Sequence, residues 1–357
     1  MRPAARILLV ATLALTVLVS AALPALAHGR GSDATNYDSH VTEVPDIEDV
    51  QWRVYGGDEV LWVDNRSGEE IVVEGYADEP YLRIGPDGVW ENGNSPATYV
   101  NRERFGQVPV PESADPDASP DWVQVSDQPR FAWHDHRIHF MGTGLHPRVT
   151  DVGARTQLQE WAVPVSVDGR DLEVLGELVW VPGPPWWPWL LVGLALALPA
   201  LIGLRTQPAE GRWPGLAKPA AAVLWVVVAA NAVFLVDALF AVPLPLLSQL
   251  FAALQTALFI GLGVFGAWRG WQAREGAFTA LGVGSGALFV GQGLLLWSVL
   301  GASQLSTVFP DVVPRLVTGL NIAQVAPLGV VAFLGTQRLL PDLDEADEGQ
   351  EPVDATS

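Results

Sequence analysis

Three of the six histidines in this chain fall within FAWHDHRIHFM, residues 131 to 141, and none lies beyond His146. Imidazole at that density points to proton transfer near neutral pH or to metal ligation. The rest of the sequence bears on which. No Gly-x-Ser-x-Gly elbow occurs and no other nucleophile is paired with a base, so hydrolase chemistry has no support. There is no cysteine, which removes thiolate from the possible ligands and disulfides from the fold. In an extended strand, side chains two apart share a face, so His134 and His136 would project together. His139 has the opposite parity and would join them only if the strand bends. An isolated His-x-His is also what a surface strand with solvated histidines gives.

A fourth histidine adds to the argument. The chain opens MRPAAR, continues through ILLVATLALTVLVSAALP and reaches Ala25-Leu26-Ala27 before turning polar. A basic start, an apolar middle and small residues at the last and third-last positions predict a cleaved secretory signal over residues 1–27. An uncleaved anchor helix is the other reading of so long an apolar run. Cleavage would make His28 the N-terminus, where its α-amine and imidazole chelate together. An amine with two or three imidazoles is an all-nitrogen set that suits copper(II), which the affinity order of divalent ions also favours. Zinc held by three histidines and water is the alternative. Calcium and magnesium prefer oxygen ligands and do not fit. The predicted metal ligands are His28, His134 and His136, with His139 as the best reserve ahead of His40 and His146.

Two regions with different solvents must position these residues. Residues 28–184 are polar and acidic, with short Val-, Trp- and Phe-rich runs separated by turn residues: VQWRVYGGDE, VLWVDNRSGEE, YLRIGPDGVW, DWVQV, RFAWHDHRIHFM, LQEWAVPVSV and LEVLGELVWV. Some seven or eight strands predict an all-β immunoglobulin-like or cupredoxin-like sandwich, interrupted by the proline-rich loop QVPVPESADPDASPD. Residues 185–340 hold about five apolar stretches of roughly 20 residues, the length a helix needs to cross hydrocarbon. They are expected near 186–204, 219–240, 245–267, 277–301 and 315–336. Arg205, Arg212 and Lys218, then Arg269 and Arg274, then Arg338, follow the odd-numbered stretches. The positive-inside rule makes those exits cytoplasmic and the sandwich extracytoplasmic, in a multi-pass plasma-membrane protein. Pro185-Trp186-Trp187-Pro188-Trp189 fits an interfacial aromatic anchor, and the acidic tail 341–357 reads as disordered. Glycine-rich stretches such as GLGVFGAWRG and LGVGSGALFVGQG lie inside apolar helices and predict close helix packing rather than phosphate loops. Asp237 is a functional candidate as an acid near a helix end, or else an interfacial residue in contact with water.

A signal ending in Ala, a mature start of His-Gly and a later Trp-His-x-His in a β-rich domain resemble the exported copper domain of the B subunit of particulate methane and ammonia monooxygenases. The resemblance implies a cupredoxin-like domain with copper on His28, His134 and His136, and Trp133 as the preceding aromatic. It covers one domain. That family's subunit has a second such domain and fewer membrane helices, and the membrane half here lacks the ligand clusters of the catalytic subunits, so oxygenase activity does not carry over. A lesser resemblance is to exported copper-resistance proteins of the CopC type.

The formal charge of −20 argues against nucleic acid as a partner. A copper ion, the lipid bilayer and a membrane protein partner are expected instead. Three functions follow: copper acquisition, delivery or resistance; a component of a copper monooxygenase or oxidase; or a non-metal binding or sensory domain on a membrane scaffold or transporter. A copper-translocating bundle would carry Met, Cys or His, and residues 185–340 contain none of the three.

Overall fold

The computed structural model describes residues 34–102, 104–142, 144–205, 214–274 and 276–337. The predicted signal 1–27, His28, Arg212, Arg338 and the acidic tail lie outside these residues.

The N-terminal domain is built on ten strands: β1 Tyr37–Glu43, β2 Val50–Tyr55, β3 Val60–Asn65, β4 Ile71–Glu74, β5 Pro80–Gly85, β6 Gly88–Asn92, β7 Trp122–Ser126, β8 Arg130–Trp133, β9 Thr156–Val167 and β10 Arg170–Trp180. All their pairings are antiparallel. A seven-stranded sheet runs β1-β10-β9-β4-β5-β6-β7, and a three-stranded sheet runs β2-β3-β8. Burial along β9 alternates strictly over its second half, the period-two pattern of a sheet with one face in a core. At the β9–β10 turn, Asp168 and Gly169 both have positive φ, 50° and 71°, as a tight hairpin matched to strand twist requires. Trp52, Leu61, Val63 and Trp133 of the small sheet pack with Ile71, Val73, Leu82, Ile84, Val163 and Val165 of the large one in a single apolar core. The two sheets thus lie face to face.

Two strands escaped sequence reasoning. In β1, YDSHVTE carries too few apolar residues to signal a strand, and β4 is only four residues long. The reverse error concerns the histidines. RFAWHDHRIHFM was expected to be one strand, but β8 ends at Trp133 and the remainder is turn and loop. The cause is Asp135, whose carboxylate takes the backbone N–H of Arg137 at 3.1 Å and the indole N–H of Trp133 at 2.9 Å. A short polar side chain that bonds its own backbone competes with the ladder and ends it.

The C-terminal half forms five helical spans long and apolar enough to cross a membrane: Trp187–Leu204, Leu216–Phe240, Leu246–Gln272, Ala277–Leu294 and Val312–Thr336. Leu191, Leu196, Val226, Leu247, Leu254 and Phe333 are exposed on their outer faces, as in a bundle solvated by lipid. This is a multi-pass membrane protein. Small residues let the spans touch: a Cβ at Gly319 would lie 2.5 Å from the carbonyl oxygen of Trp189, and one at Gly266 would lie 2.6 Å from that of Ala280. Inside, Asn231 and Asn321 exchange side-chain amide bonds at 3.0 Å, and Gln324 accepts from Ser285 at 2.8 Å.

The β domain sits on one end of the bundle. Thr35 and Gln304 exchange backbone bonds at 3.0 and 2.8 Å, and the N–H of Ser303 donates to the side chain of Asn36 at 2.8 Å. The loop joining the fourth and fifth spans therefore shares this end with the 241–245 loop, while Lys218, Arg269 and Arg274 stand at the other end of their helices.

Gly319→Val places atoms against the first span's backbone, so we expect it to lower the melting temperature of the detergent-solubilised protein by several degrees. Gly329→Ala, where a Cβ meets nothing within 4 Å, is expected to leave it unchanged or higher. Equal behaviour of the two variants in a thermal unfolding assay would contradict close packing at Gly319.

Candidate metal site

Asp135 has no exposed surface, and Arg137 grips it from two sides, with Nε on Oδ1 at 2.8 Å and a terminal nitrogen on Oδ2 at 2.7 Å. Burial alone would raise the Asp135 pKa, but the bonds and charge of Arg137 together with the Trp133 N–H outweigh it and hold the carboxyl below its usual range. The same guanidinium donates to the Glu74 carbonyl at 3.1 and 3.2 Å, and the Arg137 carbonyl accepts from Gln159 at 3.0 Å. The histidine loop is therefore tied to the ends of β4 and β9 through one residue.

On this frame the three imidazoles take different environments. His134 Nδ1 lies 3.0 Å from the Glu59 carbonyl oxygen. A carbonyl only accepts, so Nδ1 carries a proton, and the Glu59 carboxylate lies 3.5 Å from the same nitrogen. His136 donates its backbone N–H to the Tyr76 hydroxyl at 3.0 Å, and its ring stacks on Tyr76 with centroids 5.8 Å apart. The ring also rests against Gly106, where φ is 61° and a Cβ would lie 2.6 Å from His136 Cε1. His139 is buried, at 1% exposure, with its ring 5.5 Å from that of His136. Its Nε2 lies 2.8 Å from the Arg104 carbonyl, which assigns the proton to Nε2 and leaves the lone pair on Nδ1. Nδ1 is buried without a hydrogen-bond partner.

The fit to a nitrogen-preferring metal rests on that orphaned atom, the lone pair of a neutral imidazole at Nδ1 of His139. Burial, the nearby Arg104 charge and the other two imidazoles push His139 down to about 3, so it stays neutral at any physiological pH. Ring centroids 5.5 Å apart are within the span of two imidazoles ligating one ion at about 2.0–2.1 Å. Among the described residues, no three His, Cys, Asp or Glu side chains are arranged to hold a metal ion. A complete set therefore needs a donor from outside them, and His28 falls in that part of the chain.

The other two histidines are placed elsewhere. His40, on β1, contacts Glu177 at 3.1 Å and Asp38 at 3.7 Å. His146 stands against the far ring of Phe140, with centroids 4.7 Å apart.

Several supporting residues were missed from sequence. Arg104 bridges the fully buried Asp58 and Glu59, both at 2.7 Å, and so fixes the turn whose carbonyl holds His134. Burial pushes Asp58 up to about 6 against the pull of Arg104, so the pair is ionised at neutral pH. Met141 Sδ lies 2.9 Å from His139 Nε2. The signal for Met141 was present, since it is one of two methionines and stands two residues after a histidine. Arg104 and Glu59 gave none, being brought in from 45 residues apart.

Between pH 6.5 and about 3 the unfolded chain protonates His139 and the folded chain does not, so its contribution to stability is lost as pH falls through that window. The slope is at most about 1.4 kcal/mol per pH unit. Asp58, raised in the folded state, acts in the opposite direction below about 6. The difference between wild type and His139→Gln isolates the histidine: the variant is expected to show the shallower loss of stability in denaturant melts from pH 7 to 4. Asp135→Ala leaves Arg137 buried without its partner, and a cost on the order of 3–5 kcal/mol is expected in the same melts.

Comparison of this chain with family models, with curated proteins and with solved structures finds no match.

Proposed function

We propose that this protein is a membrane-anchored copper-binding protein that acts in copper acquisition, delivery or resistance outside the cytoplasmic membrane. The metal is held by His28 as the mature N-terminus and by His134 and His136, with His139 as the additional imidazole beside them. The observation that carries the reading is the His139 side chain: buried, neutral, locked by the Arg104 carbonyl and left with an unpartnered Nδ1 beside the His136 ring. Copper, when bound, supplies a redox-active ion with a preference for such nitrogen donors.

Reach supports the part given to His28. His28 lies seven positions before Thr35, a stretch of chain that spans at most roughly 25 Å. Thr35 lies against Gly57, two residues before the Glu59 carbonyl that holds His134, with its Cγ2 2.7 Å from where a Gly57 Cβ would be. The chain thus enters beside the histidine loop. The two-sheet architecture of the domain is compatible with the cupredoxin-like type that the resemblance implies. Basic residues at the bundle end away from this domain support an outside position for the domain by the positive-inside rule.

Copper(II) titration and electron paramagnetic resonance on the full-length protein test this directly, comparing chains that begin at His28 with chains carrying one extra alanine before it. We expect one tight equivalent with nitrogen hyperfine structure, weakened at least tenfold by the extra residue. Gly106→Ala, which crowds His136, is expected to weaken binding as well. Equal, weak binding by both chain forms would reduce the histidine loop to a surface feature.

A further inference from the structure

The end of the bundle beneath the β domain holds a partly open cavity of about 110 Å³ that the metal site does not use. Its floor comes from the second and third spans and the end of the fourth, and its roof from residues 305 to 307 of the loop pinned to β-domain residues Thr35 and Asn36. Ala34 reaches its edge.

Two observations indicate a ligand. The fourth span leaves α-helical geometry over Phe289–Leu294 for a π-helical turn, a feature concentrated at functional sites, and Gln292 on that turn lines the cavity. Gln292 is 3% exposed and lines the cavity, so its amide can meet an occupant of that space. An amide facing a cavity with apolar walls is suited to hydrogen-bond whatever polar group enters it. The second observation is Asp237. Both of its hydrogen bonds, from Thr307 Oγ1 at 3.0 Å and the Val308 N–H at 2.9 Å, fall on Oδ1, which leaves Oδ2 for a cavity occupant. Among the described residues, no Lys, Arg or His lines the space. A carboxylate among apolar walls attracts a cation.

The walls decide which cation. A bare alkali or alkaline-earth ion needs about six oxygens. Here the polar groups are few and stand among Phe234, Phe259, Leu296 and Val299. Apolar walls with a few convergent polar groups fit a small molecule that has an apolar body and one charged end.

We propose that this cavity binds a small organic ammonium ion, its N–H groups on Asp237 and Gln292 and its carbon chain against Phe234, Phe259 and Val299. The site is separate from the copper site and does not depend on it.

The test uses full-length protein in detergent, stripped of metal with chelator, so its result is independent of copper. The melting temperature is followed against n-butylammonium chloride, with sodium chloride at equal ionic strength and 1-butanol as controls. A saturable rise with butylammonium alone is expected, with apparent affinity at least tenfold weaker in Asp237→Asn and in Gln292→Leu. Asparagine retains the Oδ1 acceptor for Thr307 and Val308, so the fold is expected to survive, and Gln292→Leu carries the test if it does not. The proposal is overturned if wild type shows no saturable shift, if sodium chloride or butanol reproduces the shift, or if a folded variant binds as tightly as wild type.

Discussion

A carboxylate stripped of all solvent holds the candidate site together. Asp135 is tolerated in the interior because Arg137 meets it bidentately and because two N–H groups, from Trp133 and the Arg137 backbone, occupy its remaining lone pairs. The pair determines where β8 stops, turns the chain at His134 and directs the guanidinium onto the carbonyl of Glu74. With Tyr76 stacked on His136 and packed under Arg137 at 5.1 Å, the loop has few ways to move without exposing or unpairing a charge. Imidazoles on such a frame are pre-organised, which is what ligation of an ion requires if the ordering cost is to be met during folding and not on binding.

A second buried ion pair, Arg104 with Asp58 and Glu59, works from the opposite side. It rigidifies the β2–β3 turn, whose Gly57 touches Thr35 and whose Glu59 carbonyl sets the tautomer of His134. Arg104 also presents its own carbonyl to His139. The two arginines thus act through backbone as well as charge, and each links the histidine loop to a different sheet.

The halves of the protein are joined where solvents change. Below the junction no water remains to drive helices together, so the spans associate through glycine contacts and reciprocal amide bonds such as Asn231 with Asn321. Above it, apolar side chains from both sheets collapse into one core. The loop of residues 301–311 belongs to both: it pairs with Thr35 and Asn36 on one side and bonds Asp237 on the other. A cavity lined by Gln292 and Asp237 lies directly under that clamp.

Composition and period were enough for the broad organisation. Runs of about 20 apolar residues can only be satisfied as helices in lipid, and the five expected runs overlap the five spans found, with the ends of the third and fourth displaced. Runs of Val, Trp and Phe between turn residues marked eight of the strands, because a sheet face imposes a two-residue period that is local in sequence. The density of histidines at 134–139 was equally visible. Their arrangement was not, because it depends on partners distant in sequence: Glu59 for His134, Tyr76 and Gly106 for His136, Arg104 for His139. Nothing in HDHRIH states that Asp135 will be buried and will end the strand; that follows only once Arg137, Glu74 and Gln159 are brought together by the packing of two sheets. Local periodicity is written residue by residue, whereas the protonation state and aim of each imidazole are properties of the folded surroundings.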